Sequence, residues 1–291
     1  MPTPDFYIIG APKSGASTIA AWLRDHADVY IPEEELTGHF HADELRSRQT
    51  DAHVYTSTLD LGEGRLTGEI SSWYLASDSA IPHILAENPD AKFIVCLRDP
   101  AEIAWILHRD NLFARTEHVQ DFNTAWAMGF ARRQGRGIRG AGDPALLDYA
   151  SICTLGNQIA RLFSRVPPAQ IQIVFLEDLR DAACETFQQV ETFLGLTPMP
   201  RSNHALEDFL VERPFPLLNR ITRPLWRGLQ KLFPTSQIMA RLVFRMSMMN
   251  CKPGALYPLP QDTRQKISDR MSEDIATLSV LTGRDLTHWL A

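Results

Sequence analysis

Nine residues near the start of the chain bring together the groups that hold an anion: Gly10-Ala11-Pro12-Lys13-Ser14-Gly15-Ala16-Ser17-Thr18. They follow the apolar run Phe6-Tyr7-Ile8-Ile9 and lead into Thr18–Leu23, a helix-like stretch, so the segment reads as a strand–turn–helix junction. Small residues let backbone N–H groups converge there, and the helix that follows points its positive end at the same spot. Ser14, Ser17 and Thr18 add hydroxyl donors and Lys13 adds a point charge, which together make a cradle for a terminal phosphate or sulfate. A serine-rich helix cap with an exposed lysine is the plainer use of the same residues. Gly10 and Gly15 have the separation of a Walker A loop, but Ala16-Ser17 stands where that loop carries Lys-[Ser/Thr], and Lys13 precedes the second glycine by two positions. The spacing supplies a charge for an anion and no hydroxyl in register for magnesium.

A second cation follows the β-type run Phe93–Leu97, which ends on Arg98-Asp99-Pro100 instead of a Walker B aspartate. An arginine at a strand end beside the first loop grips a phosphate through two parallel N–H bonds. The alternative is an ion pair with Asp99 or another carboxylate.

The pair of motifs resembles a known family. Pro12–Leu23 (PKSGxSTxxxWL) is similar to the 5′-phosphosulfate loop of the PAPS-dependent sulfotransferases, and Leu97-Arg98-Asp99-Pro100 resembles their second signature. Further likeness runs through Gly68–Leu75 (GEISSWYL), Phe175–Leu179, Phe193–Leu196 and a tail from Leu256 to Leu290, with features of the bacterial and carbohydrate-type branch. The resemblance implies PAPS as co-substrate, PAP as product and no metal requirement. It places Lys13, Ser14, Gly15, Ala16, Ser17 and Thr18 around the phosphosulfate, with Lys13 also catalytic, and Arg98 on the 3′-phosphate. A sulfuryl group carries less charge than a phosphoryl group, so a lysine with N–H donors suffices to neutralise the leaving phosphate. The acceptor is then a hydroxyl or amine of a carbohydrate, lipid or secondary metabolite.

In that branch the base is a glutamate in a KExxFF-like stretch soon after the first helix. The matching region here, Pro32–Phe40, aligns only with two extra residues. Glu35 is the first candidate, followed by Glu34 and His39, with Glu33 in the same run; histidine serves as base in the cytosolic branch. Glu69 is a lesser candidate that instead orients Lys13 or the substrate. Two positions depart from the family: Ile106 replaces a serine eight residues after the arginine, and Leu155, with Cys153, replaces a tyrosine and a glycine in Tyr149–Gln158. Two alternatives stay open: a nucleotide-dependent small-molecule kinase on the same loop, and a degenerate relative that binds nucleotide without turnover.

The elements that position these loops alternate along the chain. Strand-like runs at Phe6–Ile9, Phe93–Leu97 and Ile171–Leu176, apolar on both faces, suit a covered parallel sheet with helical crossovers. Ala183, Phe187, Val190 and Leu194 form a helical face stopped by Gly195. Ile267, Met271, Ile275 and Leu278 form another, opened by an Asp262–Gln265 capping box and closed by Gly283. The expectation is an α/β, P-loop-like three-layer fold over residues 1–291 as one domain, with a helical C-terminal elaboration. Helices are expected at 217–232 and 235–249, with Arg220, Arg223, Arg227 and Lys231 as a polar face, and an exposed Arg- and Gly-rich loop at 132–146.

Composition narrows the function. With 291 residues, 44% of them hydrophobic and 22% charged, the chain buries a large core without staples. A net charge of -6 argues against nucleic-acid binding through general basicity. Cys96, Cys153, Cys184 and Cys251 show no CxxC spacing and read as free thiols in a reducing compartment, and no histidine spacing suggests a metal. No signal-like start and no apolar run of the ~18 residues that span a bilayer are seen, so a soluble cytoplasmic protein is expected. The sequence leaves the oligomeric state open.

Overall fold

The computed structural model describes residues 3–32, 59, 62, 64–114, 116–137, 144–199, 210–212, 252–254 and 258–291. Five parallel strands form its sheet in the order β2-β3-β1-β4-β5: β1 (Phe6–Gly10), β2 (Val29–Tyr30), β3 (Leu66–Ser71), β4 (Lys92–Leu97) and β5 (Ile171–Phe175). Helices α1 (Ala16–Arg24), α2 (Ala80–Glu87) and α3 (Pro100–Ala114) lie between the strands. After them come α4 (Phe122–Ala127), α5 (Gly129–Arg133), α6 (Tyr149–Ile152) and α7 (Leu155–Phe163). α8 (Leu176–Asp181) and α9 (Ala183–Leu194) follow β5. The pair β6 (Leu210–Glu212) and β7 (Lys252–Gly254) is antiparallel, and α10 (Gln261–Thr282) closes the chain.

Strand alternation divides the interior in two. Phe6 and Ile8 of β1 and Ile94 and Cys96 of β4 point to a core shared with α1, α8 and α9. Tyr7, Ile9, Phe93, Val95 and Leu97 point to the opposite core, filled from α2, α3, α7 and α10. Side chains at alternate positions leave a strand on opposite faces, so a central strand clothed by helices on both sides is apolar throughout. β1 lies between β3 and β4, and the helices that leave β1 and β4, α1 and α3, cover opposite faces. Such a divergence opens a crevice at the carboxyl ends of the two strands, where open α/β sheets bind ligands. The glycine loop and Arg98 both lie there.

The expected strands and the apolar faces of the last two long helices are present. Phe187, Val190 and Leu194 are buried, as are Ile267, Met271, Ile275 and Leu278, and Gly195 and Gly283 end their helices with φ of 82° and 65°. The capping box is not formed. Pro260, with φ of -59°, sets the entry to α10, its carbonyl accepts from Thr263 and Arg264, and Asp262 faces Lys266 at 3.9 Å instead. The expected exposed loop at 132–146 also needs correcting at its start. Arg132 belongs to α5 and is buried, because Glu117 provides a buried carboxylate for it. The helices expected at 217–232 and 235–249, with their arginines, lie outside the described residues. Among the described residues no helix is long and apolar enough to cross a membrane.

Candidate functional site

The loop after β1 is shaped by close backbone approach. Gly10 has φ of 150°, the next amide, Ala11 N–H, donates to Cys96 O of β4 at 3.0 Å, and a Cβ on Gly10 would lie 2.2 Å from that oxygen. Gly15, at φ of 92°, is the N-cap of α1 with no side chain bonded over it. A Cβ there would meet Leu179 Cδ1 at 2.6 Å. Helical geometry leaves the first-turn amides of α1, on Ala16, Ser17 and Thr18, without intrahelical partners, so they face the loop's concavity as donors. Ser14 is buried and its hydroxyl turns back to Pro12 O at 3.4 Å, Thr18 is buried, and Ser17 is exposed.

Lys13 holds φ of 65°, the left-handed region that costs a side-chain-bearing residue about 1–3 kcal/mol. The conformation is supported from β4: Arg98 Nη1 donates to Lys13 O at 2.9 Å. The two sequence motifs, 85 positions apart, therefore meet at one corner. Arg98 is 2% exposed and also donates from Nε to Glu102 Oε2 at 2.7 Å. The carboxylate pairing weighed for Arg98 is thus real, but its partner is Glu102, not Asp99. Asp99 pairs with Arg264 of α10, which also approaches Glu102 at 3.7 Å. Burial pushes the Asp99 carboxyl up, against the opposing pull of Arg264. Arg264 adds a cation to this corner that sequence reasoning did not single out. Its only signal was its place in the family-like tail, 165 positions from Asp99.

Helix α3 lines the site with one stripe. Glu102, Ile106 and Asp110 recur at four-residue spacing and so share a face. Glu102 holds Arg98, Ile106 is buried, and Asp110 Oδ2 lies 2.6 Å from Lys13 Nζ. Lys13 and Asp110 side chains keep 39% and 32% of their exposure, so both ends of that pair reach solvent, whereas Arg98 is buried and only its partner Glu102 is part-exposed.

The other side of α3 is fixed by a buried polar network. Arg132 meets Glu117 with both terminal nitrogens, at 2.7 and 2.8 Å, and Tyr149 Oη donates to Glu117 Oε2 at 3.0 Å. His108 Nε2 donates to Val119 O at 2.9 Å, and Asn111 reaches Leu146 O at 3.2 Å. Burial holds the His108 imidazole below its ordinary range and pushes the Tyr149 phenol up. At the departing positions, Leu155 is buried in the core at the start of α7, and Cys153 is buried with its thiol donating to Pro100 O at 3.4 Å.

Glu69 is buried on β3 and accepts from Tyr74 Oη within the GEISSWYL stretch. Glu33, Glu34, Glu35 and His39 lie outside the described residues. Among the described residues no group of three or more His, Cys, Asp or Glu is arranged to hold a metal.

No family model matches the chain. A membrane-associated sulfotransferase of Dictyostelium discoideum, kil1, is 25% identical over 99 residues, 34% of this chain. The match spans only 21% of that protein's length. Among solved structures, a sulfotransferase from Alicyclobacillus acidocaldarius superposes with a TM-score of 0.73 at 19% identity, covering 100% of both chains. The chain thus shares the fold of a sulfotransferase structure over its whole length, and about a third of it is similar in sequence to a sulfotransferase.

Proposed function

We propose that this chain is a sulfotransferase that moves a sulfuryl group from PAPS to a hydroxyl or amine of a carbohydrate, lipid or secondary metabolite, as a single unit over residues 1–291 in the cytoplasm. The observation that carries the proposal is the hydrogen bond from Arg98 to the carbonyl of Lys13, which joins the two cationic signatures at the sheet's crevice. Lys13 Nζ and the amides from Ser14 to Thr18 hold the 5′-phosphosulfate and neutralise charge on the departing phosphate. Preorganised donors aimed at developing charge are the strongest single contribution in reactions of this type. Arg98 holds the carbonyl of Lys13 and brings its positive charge to the side of the crevice where the 3′-phosphate would sit, with Arg264 as the neighbouring cation. Positioning of the acceptor in line with the breaking S–O bond supplies the rest.

Ile106 sets a limit on that grip. A serine there would add one hydrogen bond to a charged phosphate, worth about 1.5–3 kcal/mol, or roughly tenfold to a hundredfold in affinity. Ile106→Ser is therefore expected to raise the preference for PAP over its 3′-dephospho analogue, measured by calorimetric titration of both. An unchanged ratio would remove Ile106 from the nucleotide site.

Transfer of radiolabelled sulfate from PAPS over a panel of sugar, lipid and phenolic acceptors tests the activity, alongside titration of PAP and of ATP with and without magnesium. The expected result is labelled product and PAP binding independent of magnesium. ATP binding strengthened by magnesium would favour a kinase. PAP binding without labelled product would favour a nucleotide-binding relative that does not turn over.

A further inference from the structure

We propose that Asp110 takes the acceptor's proton, and that nucleotide loading frees it to do so; the proposal rests on the sulfuryl-transfer reading above. On that reading Lys13 Nζ holds the phosphosulfate beside the bond that breaks, and Asp110 Oδ2 lies 2.6 Å from it. A carboxylate at that distance from the ammonium lies within one side-chain's reach of the transferring group, where the acceptor oxygen must arrive. Its helix is fixed from behind by His108 and Asn111, so the carboxylate is presented from a rigid element, not from a loop. Glu102, on the same stripe of α3 and as exposed as Asp110, is already committed to Arg98 and Arg264, whereas Asp110 answers the part-exposed Lys13.

Loading of the phosphosulfate draws Lys13 Nζ onto the phosphate oxygens. Asp110 then loses its donor and takes the next one available, the acceptor hydroxyl. As the acceptor oxygen forms its bond to sulfur, the bond from sulfur to the bridging phosphate oxygen breaks. The hydroxyl proton passes to the Asp110 carboxylate, and the electron pair leaves on the phosphate that Lys13 neutralises. A carboxylate left in this place without that use would only oppose the bound dianion by like charge.

Asp110→Asn keeps the shape and removes the proton acceptor. Turnover is expected to fall about 10²- to 10⁴-fold, the range for a general base. PAP binding should hold or tighten by up to about fivefold, since a partly exposed competing ion pair is worth at most ~1 kcal/mol. Assays use the best acceptor of the panel, and PAPS hydrolysis with water as acceptor. Asp110→Ala, checked for an unchanged melting temperature, should regain activity with added sodium formate but not with sodium chloride. Turnover of Asp110→Asn within threefold of wild type overturns the proposal, as does a parallel loss of PAP affinity, which would make Asp110 a structural brace. Abolished turnover in Glu35→Gln with near-normal turnover in Asp110→Asn would transfer the role to Glu35. A wild-type protein that binds PAP yet neither labels an acceptor nor hydrolyses PAPS sinks the transfer reading itself, and this assignment with it.

Discussion

Lys13→Ala is expected to lower sulfuryl transfer by about a hundredfold to a thousandfold, the loss seen when one preorganised charge-stabilising donor is removed. The ammonium alone supplies a full positive charge at the mouth of the loop; the α1 amides that remain carry only the fractional charge of a helix terminus. A control separates charge from backbone. Lys13 has φ of 65°, which alanine tolerates poorly and glycine freely. Lys13→Gly should therefore lose the same activity while gaining stability of order 1 kcal/mol in urea denaturation, and Lys13→Ala should gain none. Steady-state transfer rates of the two variants are the measurement, and a rate within threefold of wild type in either would remove the lysine from the chemistry.

Arg132→Met is expected to destabilise the fold by about 3–5 kcal/mol, because it leaves Glu117 charged, buried and without its partner. Glu117 also accepts from Tyr149 Oη and from the His118 and Val119 amides, so its removal would orphan several donors. Adding Glu117→Gln to the first change keeps an acceptor and removes the charge, and should restore part of the loss. Burial works to raise the Glu117 carboxyl, but its bonds to Arg132 and to the two amides prevail and hold it below the usual range. A carboxyl depressed in the folded state contributes stability above its unfolded value, near 4.5, and loses it as pH falls through the folded one. Urea midpoints should thus drop from about pH 4.5 downward in the wild type and drop less in the double variant. Equal acid sensitivity in both would contradict the assignment.

That Lys13 and Arg98 meet at one corner was legible because the signals are local. Gly10 to Thr18 form one turn, and Arg98 ends one apolar strand, so short patterns carry both. The carboxylate that answers Lys13 was not legible, nor was the cation that answers Asp99. Asp110 lies 97 positions from Lys13, and Arg264 reaches Asp99 only because α10 packs over α3; nothing in their local spacing ties them together. In the sequence β3 reads as a family-like stretch and not as a strand, since Glu69 and Ser71 make a buried strand look polar. Arg132 reads as a loop residue in the sequence because buried arginines are rare and look like surface until a partner such as Glu117 is found. The apolar faces of α9 and α10 suffered no such ambiguity, since helical periodicity names the buried side directly. The capping box failed for a local reason instead: Pro260 had already fixed the entry to its helix.

A crystal structure with PAP bound tests the central claim most directly. The 5′-phosphate is expected against Lys13 Nζ and the first-turn amides of α1, the 3′-phosphate on the Arg98 side of the crevice, and Asp110 turned away from the lysine toward the space where sulfur would sit. PAP lodged elsewhere, or seated with Lys13 still held by Asp110, would contradict it.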